Sequence, residues 1–170
     1  MIKKFNRIDG VCVEKIYGQD RFGYSRSDFD DLYDLIKWAE QGGYQGSELK
    51  FYDFYTGDVY KPFDKKRNVA YGEPVYVESY LYFLQGDYGK NIVTLYRYLP
   101  EKVLETVVEF KIEEVNLYNL KIIGNPLFII SQDNEDGFRC YYPKKFSFPL
   151  QEQESVILIG DEKIYLEKWV

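Results

Sequence analysis

The sequence predicts a mainly β fold: an antiparallel meander of four-stranded units, open or irregular, with one N-terminal α-helix. Three observations carry this. Aromatic residues make up 19% of the chain, with 18 Tyr and 12 Phe, and these side chains favour the pleated, half-buried surface of a sheet. A short pattern, a Gly or polar tight turn running into an apolar strand, occurs four times. Only one segment has the i, i+3, i+4, i+7 spacing of a buried helix face. An irregular β-barrel or a sandwich is the alternative arrangement of the same strands.

A chain of 170 residues is long enough to bury its own core, so residues 1–170 are expected to form a single domain. Residues 1–24 read as an N-terminal strand or hairpin, with "RIDGVCVEKIYG" turning at Asp9-Gly10. Residues 27–42, "SDFDDLYDLIKWAEQG", read as the helix. Ser27 is the expected N-cap and Asp30 the third position of a weaker capping box. Asp28, Asp30 and Asp31 suit the positive end of the helix dipole. Phe29, Leu32, Tyr33 and Ile36 form the apolar stripe, and Gly42-Gly43 stops the helix.

Residues 46–170 carry the recurrent β pattern. Its copies reach their first apolar strand residue at Leu49, Leu81, Leu127 and Ile164, at uneven intervals of 32, 46 and 37 residues. The last three copies follow another apolar run ("PVYV", "LKII", "VILI"), which makes each a hairpin turned at the small polar residues. The recurrence predicts Leu81 and Leu127 as core positions and sets Asp87 and Asp133 at matching loop positions. Pro62, Pro100 and Pro143 fall near strand ends, where no ladder donor is needed. A period near 45 with about four strands per unit resembles the blades of β-propeller proteins. The resemblance is one of architecture and covers residues 46–170. The Gly-His and Trp-Asp marks of WD40 blades and the paired glycines of kelch blades are missing, and fewer than three blades fit in this span. The resemblance implies an open fan, an irregular closure, or a ring completed by other chains.

Charge and composition narrow the chemistry. The net charge is −6, which repels phosphate backbones and predicts no nucleic-acid partner. The basic stretches Lys61 to Arg67 and Lys144-Lys145 read as solvated loop tips. The start "MIKKFNRIDG" lacks an apolar signal region, and no run approaches a membrane span. A cytoplasmic setting with no membrane partner is therefore expected. The chain has no histidine and two cysteines, Cys12 and Cys140. That removes histidine-dependent nucleophiles and the usual zinc and iron ligand sets, so no cofactor and no metal are predicted. Cys12, in "VCV", and Cys140, in "RCYY", are both expected to be buried, inert thiols. "GDYGKN" fails as a phosphate loop because Leu84 stands where the first Gly belongs and Asn91 where the hydroxyl belongs. "DNEDG" lacks the ligand alternation and flanking helices of a calcium loop.

These exclusions favour binding over catalysis. The expected role is a cytoplasmic, non-catalytic protein-binding module with an unknown protein partner, and one variant of that role neutralises a basic partner. The candidate contact surface comprises Trp38, Tyr44, Asp87, Tyr88 and Asp133. The alternative is a small-molecule or carbohydrate binder, or a carboxylate hydrolase, working through a Tyr- and carboxylate-lined pocket. A concave pocket of that kind, as against a filled centre, discriminates the two.

Overall fold

The computed structural model describes residues 1–2, 4–5, 12–28, 31–160 and 163–169. It is mainly β, with 47% strand and 6% helix, antiparallel throughout and without a closed barrel. Sheet I has the order β1 (Glu14–Lys15), β2 (Phe22–Arg26), β3 (Leu49–Asp53), β4 (Val59–Tyr60). The helix α1 (Leu35–Glu40) lies in the connection from β2 to β3. In sheet II, β5 (Val69–Tyr71) and β6 (Val75–Val77) follow one another along the same edge of β7 (Tyr80–Asp87). The Gly72 N–H still donates to the Leu84 carbonyl at 2.9 Å across the break. β8 (Ile92–Leu99) and β9 (Val103–Lys111) complete sheet II, which thus has four rows. Sheet III has the order β10 (Lys121–Ile123), β11 (Phe128–Asp133), β12 (Gly137–Tyr142), β13 (Phe146–Phe148). Among the described residues sheet IV holds only β14 (Glu154–Ile159) and β15 (Ile164–Lys168).

The sheets pack face to face in chain order because their central strands are apolar on both sides. Successive residues of a strand point to opposite faces. In β7, Leu81 and Phe83 enter a cluster shared with Phe22, Tyr24, Leu49 and Phe51 of sheet I. Between them, Tyr82 and Leu84 enter a second cluster with Ile122, Ile129 and Tyr141 of sheet III and with Leu32 and Leu35 beside the helix. β11 repeats the arrangement: Ile129 faces sheet II, while Phe128 and Ile130 join Val156 and Ile159 of sheet IV. A strand covered on both faces needs an unbroken apolar run, and "YLYFL" and "FII" supply it.

The hairpins of the last three copies form where the sequence puts them. β6 and β7 meet at Glu78-Ser79, both with positive φ (49° and 71°), the backbone of a primed two-residue turn whose twist matches the strands. β10–β11 and β14–β15 are likewise antiparallel hairpins. Pro62, Pro100 and Pro143 all stand just beyond strand ends, after β4, β8 and β12. Gly46, at the head of the first copy, has φ +83°, and a Cβ there would lie 1.9 Å from the Lys66 carbonyl oxygen. No other residue fits that approach.

Several expectations are corrected. The helix is shorter than residues 27–42. Ser27 pairs with Glu48 instead of capping α1: its N–H donates to the Glu48 carbonyl at 3.0 Å and its hydroxyl accepts from the Glu48 N–H at 2.7 Å. Tight i−3 bonds, Asp34 to Asp31 and Ile36 to Tyr33, then lead into α1. They turn Tyr33 outward while Leu32 and Leu35 stay buried. Gly42 and Gly43 do end the helix, donating to the carbonyls of Ala39 and Trp38. Phe29 and Asp30 lie outside the described residues, as does the proposed Asp9-Gly10 turn; β1 and β2 are joined through Tyr17-Gly18. Leu127 is half-buried and stands just before β11, whose first three residues, Phe128, Ile129 and Ile130, take the core positions instead. Cys12 is exposed, while Cys140 is buried. Three four-row sheets fit, more than expected, because sheet I recruits β1 and β2 from before residue 46 across the helical connection.

The two-sided burial of β7 predicts an asymmetric response to truncation. Phe83→Ala removes a fully buried ring and is expected to cost about 3–5 kcal/mol. Leu104→Ala, at an exposed position of β9, is expected to stay within about 0.5 kcal/mol. Urea unfolding curves of the two variants check this.

Candidate functional site

β3, β7 and β11 each end in an aspartate, and all three do the same local work. Asp53, Asp87 and Asp133 close the hairpin loop that follows by accepting its backbone N–H groups through Oδ1. The donors are Tyr55 and Thr56 at 2.9 and 3.2 Å, Lys90 at 3.1 Å, and Glu135 at 2.9 Å together with Asp136. This is the Asx device, which favours Asp at turns. In each case Oδ2 faces a side chain from the segment leading into the same sheet or its neighbouring row. Arg21 donates to Asp53 at 2.9 and 2.7 Å, Lys66 to Asp87 at 2.8 Å, and Asn116 to Asp133 at 2.7 Å.

The third station differs from the other two in a way that matters chemically. Asp53 and Asp87 are buried, and a buried carboxylate is tolerated when a cation and hydrogen bonds answer it. Arg21 and Lys66 provide that charge. At Asp133 the partner is a neutral amide, and the carboxylate is half-exposed. The Asn116 amide is shared with Asp136 at 3.1 Å, so it bridges two carboxylates without neutralising either.

Asp133 opens into a cleft of about 590 Å³. Asn116 and Tyr118 arrive from the connection between sheets II and III, Tyr33 from the turn before α1, and Glu154 from the start of β14. Tyr33 and Tyr118 meet edge to face, 5.7 Å between ring centres, and both are half-exposed. Gly137, with φ +74°, lets the β11–β12 loop turn against β13, where a Cβ would come within 2.7 Å of the Phe148 carbonyl oxygen. Among the described residues four carboxylates line the cleft, Asp133, Glu135, Asp136 and Glu154, and no lysine or arginine does. Arg139 reaches Asp136 at 2.9 Å and Lys168 reaches Glu154 at 3.9 Å from outside the lining. Both pairs are solvated and weak. No hydrogen bond or ion pair engages the Glu135 carboxylate among the described residues.

Of the residues expected to form a contact surface, only Asp133 lies in this cleft. Trp38 is exposed on α1 and lines a separate depression with Ser27, Glu48 and Lys65. Tyr44 is 3% exposed and belongs to the core beneath the helix. Asp87 is buried against Lys66. Tyr88 is half-buried and its hydroxyl donates to the Leu32 carbonyl; burial raises its pKa above the ordinary tyrosine value. These three residues hold the fold from inside. In the basic stretch from Lys61 to Arg67 all four cations are exposed, and two of them are engaged within the fold: Lys61 pairs with Glu48 and Lys66 with Asp87. Asn116, Tyr118 and Glu154 had no mark in the sequence that set them apart from other polar loop residues; Tyr33 reads there as part of the helix stripe, and Glu135 and Asp136 only as part of the rejected calcium-loop stretch "DNEDG".

The described residues hold no group of three or more Cys, Asp and Glu side chains placed to bind a metal ion. No helix among them is long and apolar enough to cross a membrane. Burial pushes the Cys140 thiol up to about 11, which keeps it protonated and poorly nucleophilic. Comparison with protein-family models, with curated proteins and with solved structures finds no match for this chain.

The Arg21–Asp53 station predicts an acid-sensitive fold. Burial pushes the Asp53 carboxyl up, but the Arg21 guanidinium and the N–H groups of Thr56 and Tyr55 outweigh it, and its pKa lies below the ordinary value. A depressed folded pKa contributes stability above the unfolded value of about 3.9 and loses it as pH falls through the folded one. Asp53→Asn is expected to cost about 2 kcal/mol at neutral pH. It is also expected to flatten the stability loss of the parent protein below pH ~4. Urea midpoints measured from pH 7 down to acid check both effects.

Proposed function

We propose that this protein is a non-catalytic binding module whose acidic, tyrosine-lined cleft takes a cationic segment of a basic partner protein. The observation that carries the reading is the missing cation at Asp133. Two equivalent stations have a lysine or arginine at this position, and the third has Asn116 and an open cleft. A lysine or arginine side chain from a partner, entering through the cleft beside Asn116, would supply the positive charge that Arg21 and Lys66 supply at the other two. Asp133, Asp136 and Glu135 supply the charge, and the exposed faces of Tyr33 and Tyr118 supply surface for a cation–π contact. The net charge of −6 adds long-range attraction for a basic protein and speeds encounter.

The scaffold reads as an incomplete run of propeller-type blades, supported by four-row sheets that stack in chain order. In such stacks, loops at the strand ends commonly carry the binding surface. A reducing, cytoplasmic setting fits a chain whose two thiols are both free.

Binding of fluorescent peptides tests the proposal. A Lys/Arg-rich peptide is expected to bind with an affinity that falls steeply with salt, and its Glu-substituted counterpart is expected not to bind. Asn116→Lys supplies the missing cation internally and is expected to weaken binding at least about tenfold, a change of about 1.4 kcal/mol. Binding unchanged by Asn116→Lys would contradict the reading. The tyrosine- and carboxylate-lined cleft also meets the condition set for the small-molecule or carbohydrate alternative, and binding of neutral oligosaccharides in preference to the basic peptide would favour that reading.

A further inference from the structure

Sheet IV is half the width of the others. Among the described residues sheets I, II and III each have four rows, and sheet IV has β14 and β15 alone. Among the described residues β15 pairs only with β14, so its outer edge presents unpaired backbone N–H and C=O groups. Free edges of this kind are usually blunted by proline, a bulge or a covering loop. Among the described residues β15 has none of these, its only edge devices being the charges of Glu167 and Lys168; the irregularity of this sheet lies in β14, between Val156 and Leu158.

The side chains of β15 are also unfinished on the inner face. Cross-strand partners share a face, so Leu166, opposite Val156, and Ile164, opposite Ile159, point inward. Val156 and Ile159 are buried against sheet III, yet Ile164 remains 38% and Leu166 48% exposed. Sheet III therefore does not extend far beneath β15, and the space beside this edge is open to another chain.

We infer that two copies of this protein join through β15, antiparallel about a two-fold axis at Tyr165, into one shared four-row sheet of order β14-β15-β15-β14. The occupant is a second copy because the edge is complementary to itself. In an antiparallel pair centred on Tyr165, Lys163 of each copy stands opposite Glu167 of the other, and Ile164 stands opposite Leu166. The charges meet on the outer face and the apolar side chains on the inner one. Each contact is made twice, as an isologous interface requires. The axis stands perpendicular to the sheet, so the inner faces of both halves look the same way. Neither copy's sheet III obstructs the other, because neither extends far beneath β15. Shifting the register by two residues, to centre on Leu166, sets Ile164 against Lys168 and Tyr165 against Glu167, and the complementarity is gone.

A charge-reversal cycle tests this, read by sedimentation over a range of concentrations. The parent protein is expected to approach twice the 20.3 kDa mass of one chain as concentration rises. Lys163→Glu and Glu167→Lys each place like charges opposite one another twice and are expected to weaken the dimer at least about tenfold. The double variant Lys163→Glu/Glu167→Lys restores the pairing and is expected to dimerise like the parent. Tyr165→Cys in a Cys12→Ser background is expected to form an intermolecular disulfide on mild oxidation, since the two residues 165 face each other across the axis. A parent protein that stays monomeric at every concentration overturns the inference. So does a dimer indifferent to both single reversals, which would place the contact on another surface.

Discussion

The fold depends on strands that are buried on both faces. β7 sends Leu81 and Phe83 to one side and Tyr82 and Leu84 to the other, so sheets I and III are held together through it. Burying a side chain such as Leu or Phe contributes about 1.5–3 kcal/mol, and β7 does this at successive positions without a polar break. β11 does the same one layer further on, between sheets II and IV. The run of layers is therefore nearly one-dimensional, with each sheet resting on its neighbours in sequence, as in repeat architectures generally. Such a stack has two ends, and their chemistry differs. At the sheet I end, Phe5 packs on Tyr52 and Phe54. At the sheet IV end, every residue of β15 is exposed.

The three strand-end aspartates show how the same scaffold handles charge. An Asp at this position closes the next hairpin whatever its second oxygen does, since Oδ1 alone collects the loop N–H groups. Oδ2 is left as a variable point. Where the carboxylate is buried, a cation from the same chain answers it; at Asp133, the site is more open and only an amide is present. The proposed binding role and the structural role of these aspartates are thus one chemistry used in two settings. The cleft arises because the connection between sheets II and III, the β11–β12 loop and the start of β14 converge there without filling the space between them.

Much of the β architecture was legible in the sequence because it follows from local rules. Unbroken apolar runs marked the central strands, and small polar residues between them marked the hairpins at Glu78-Ser79 and Gly124. The matching positions of Asp87 and Asp133 were visible as well. What escaped reading was set by tertiary pairing. Ser27 has the chemistry of an N-cap, but the N–H of Glu48, just before β3, donates to its hydroxyl instead. Asp53 belongs with the other two aspartates, but the helical connection lengthens its pairing: Arg21 is 32 residues from Asp53, Lys66 is 21 from Asp87 and Asn116 is 17 from Asp133. No fixed spacing links the partners, so Asn116 could not be recognised as the odd one out. Tyr44 and Tyr88 looked like contact residues because tyrosine suits both a wet edge and a core; the packing beneath α1 decides for the core.

Hydrogen exchange of the backbone amides tests the central claim most directly, namely that two-sided burial of β7 holds the stack together. The amides of β7 and β8 are expected to exchange only through global unfolding, with those of β14 opening at lower free energy. Amides of β14 that outlast those of β7 would contradict it, because the layer covered on one side would then be holding the layers covered on two.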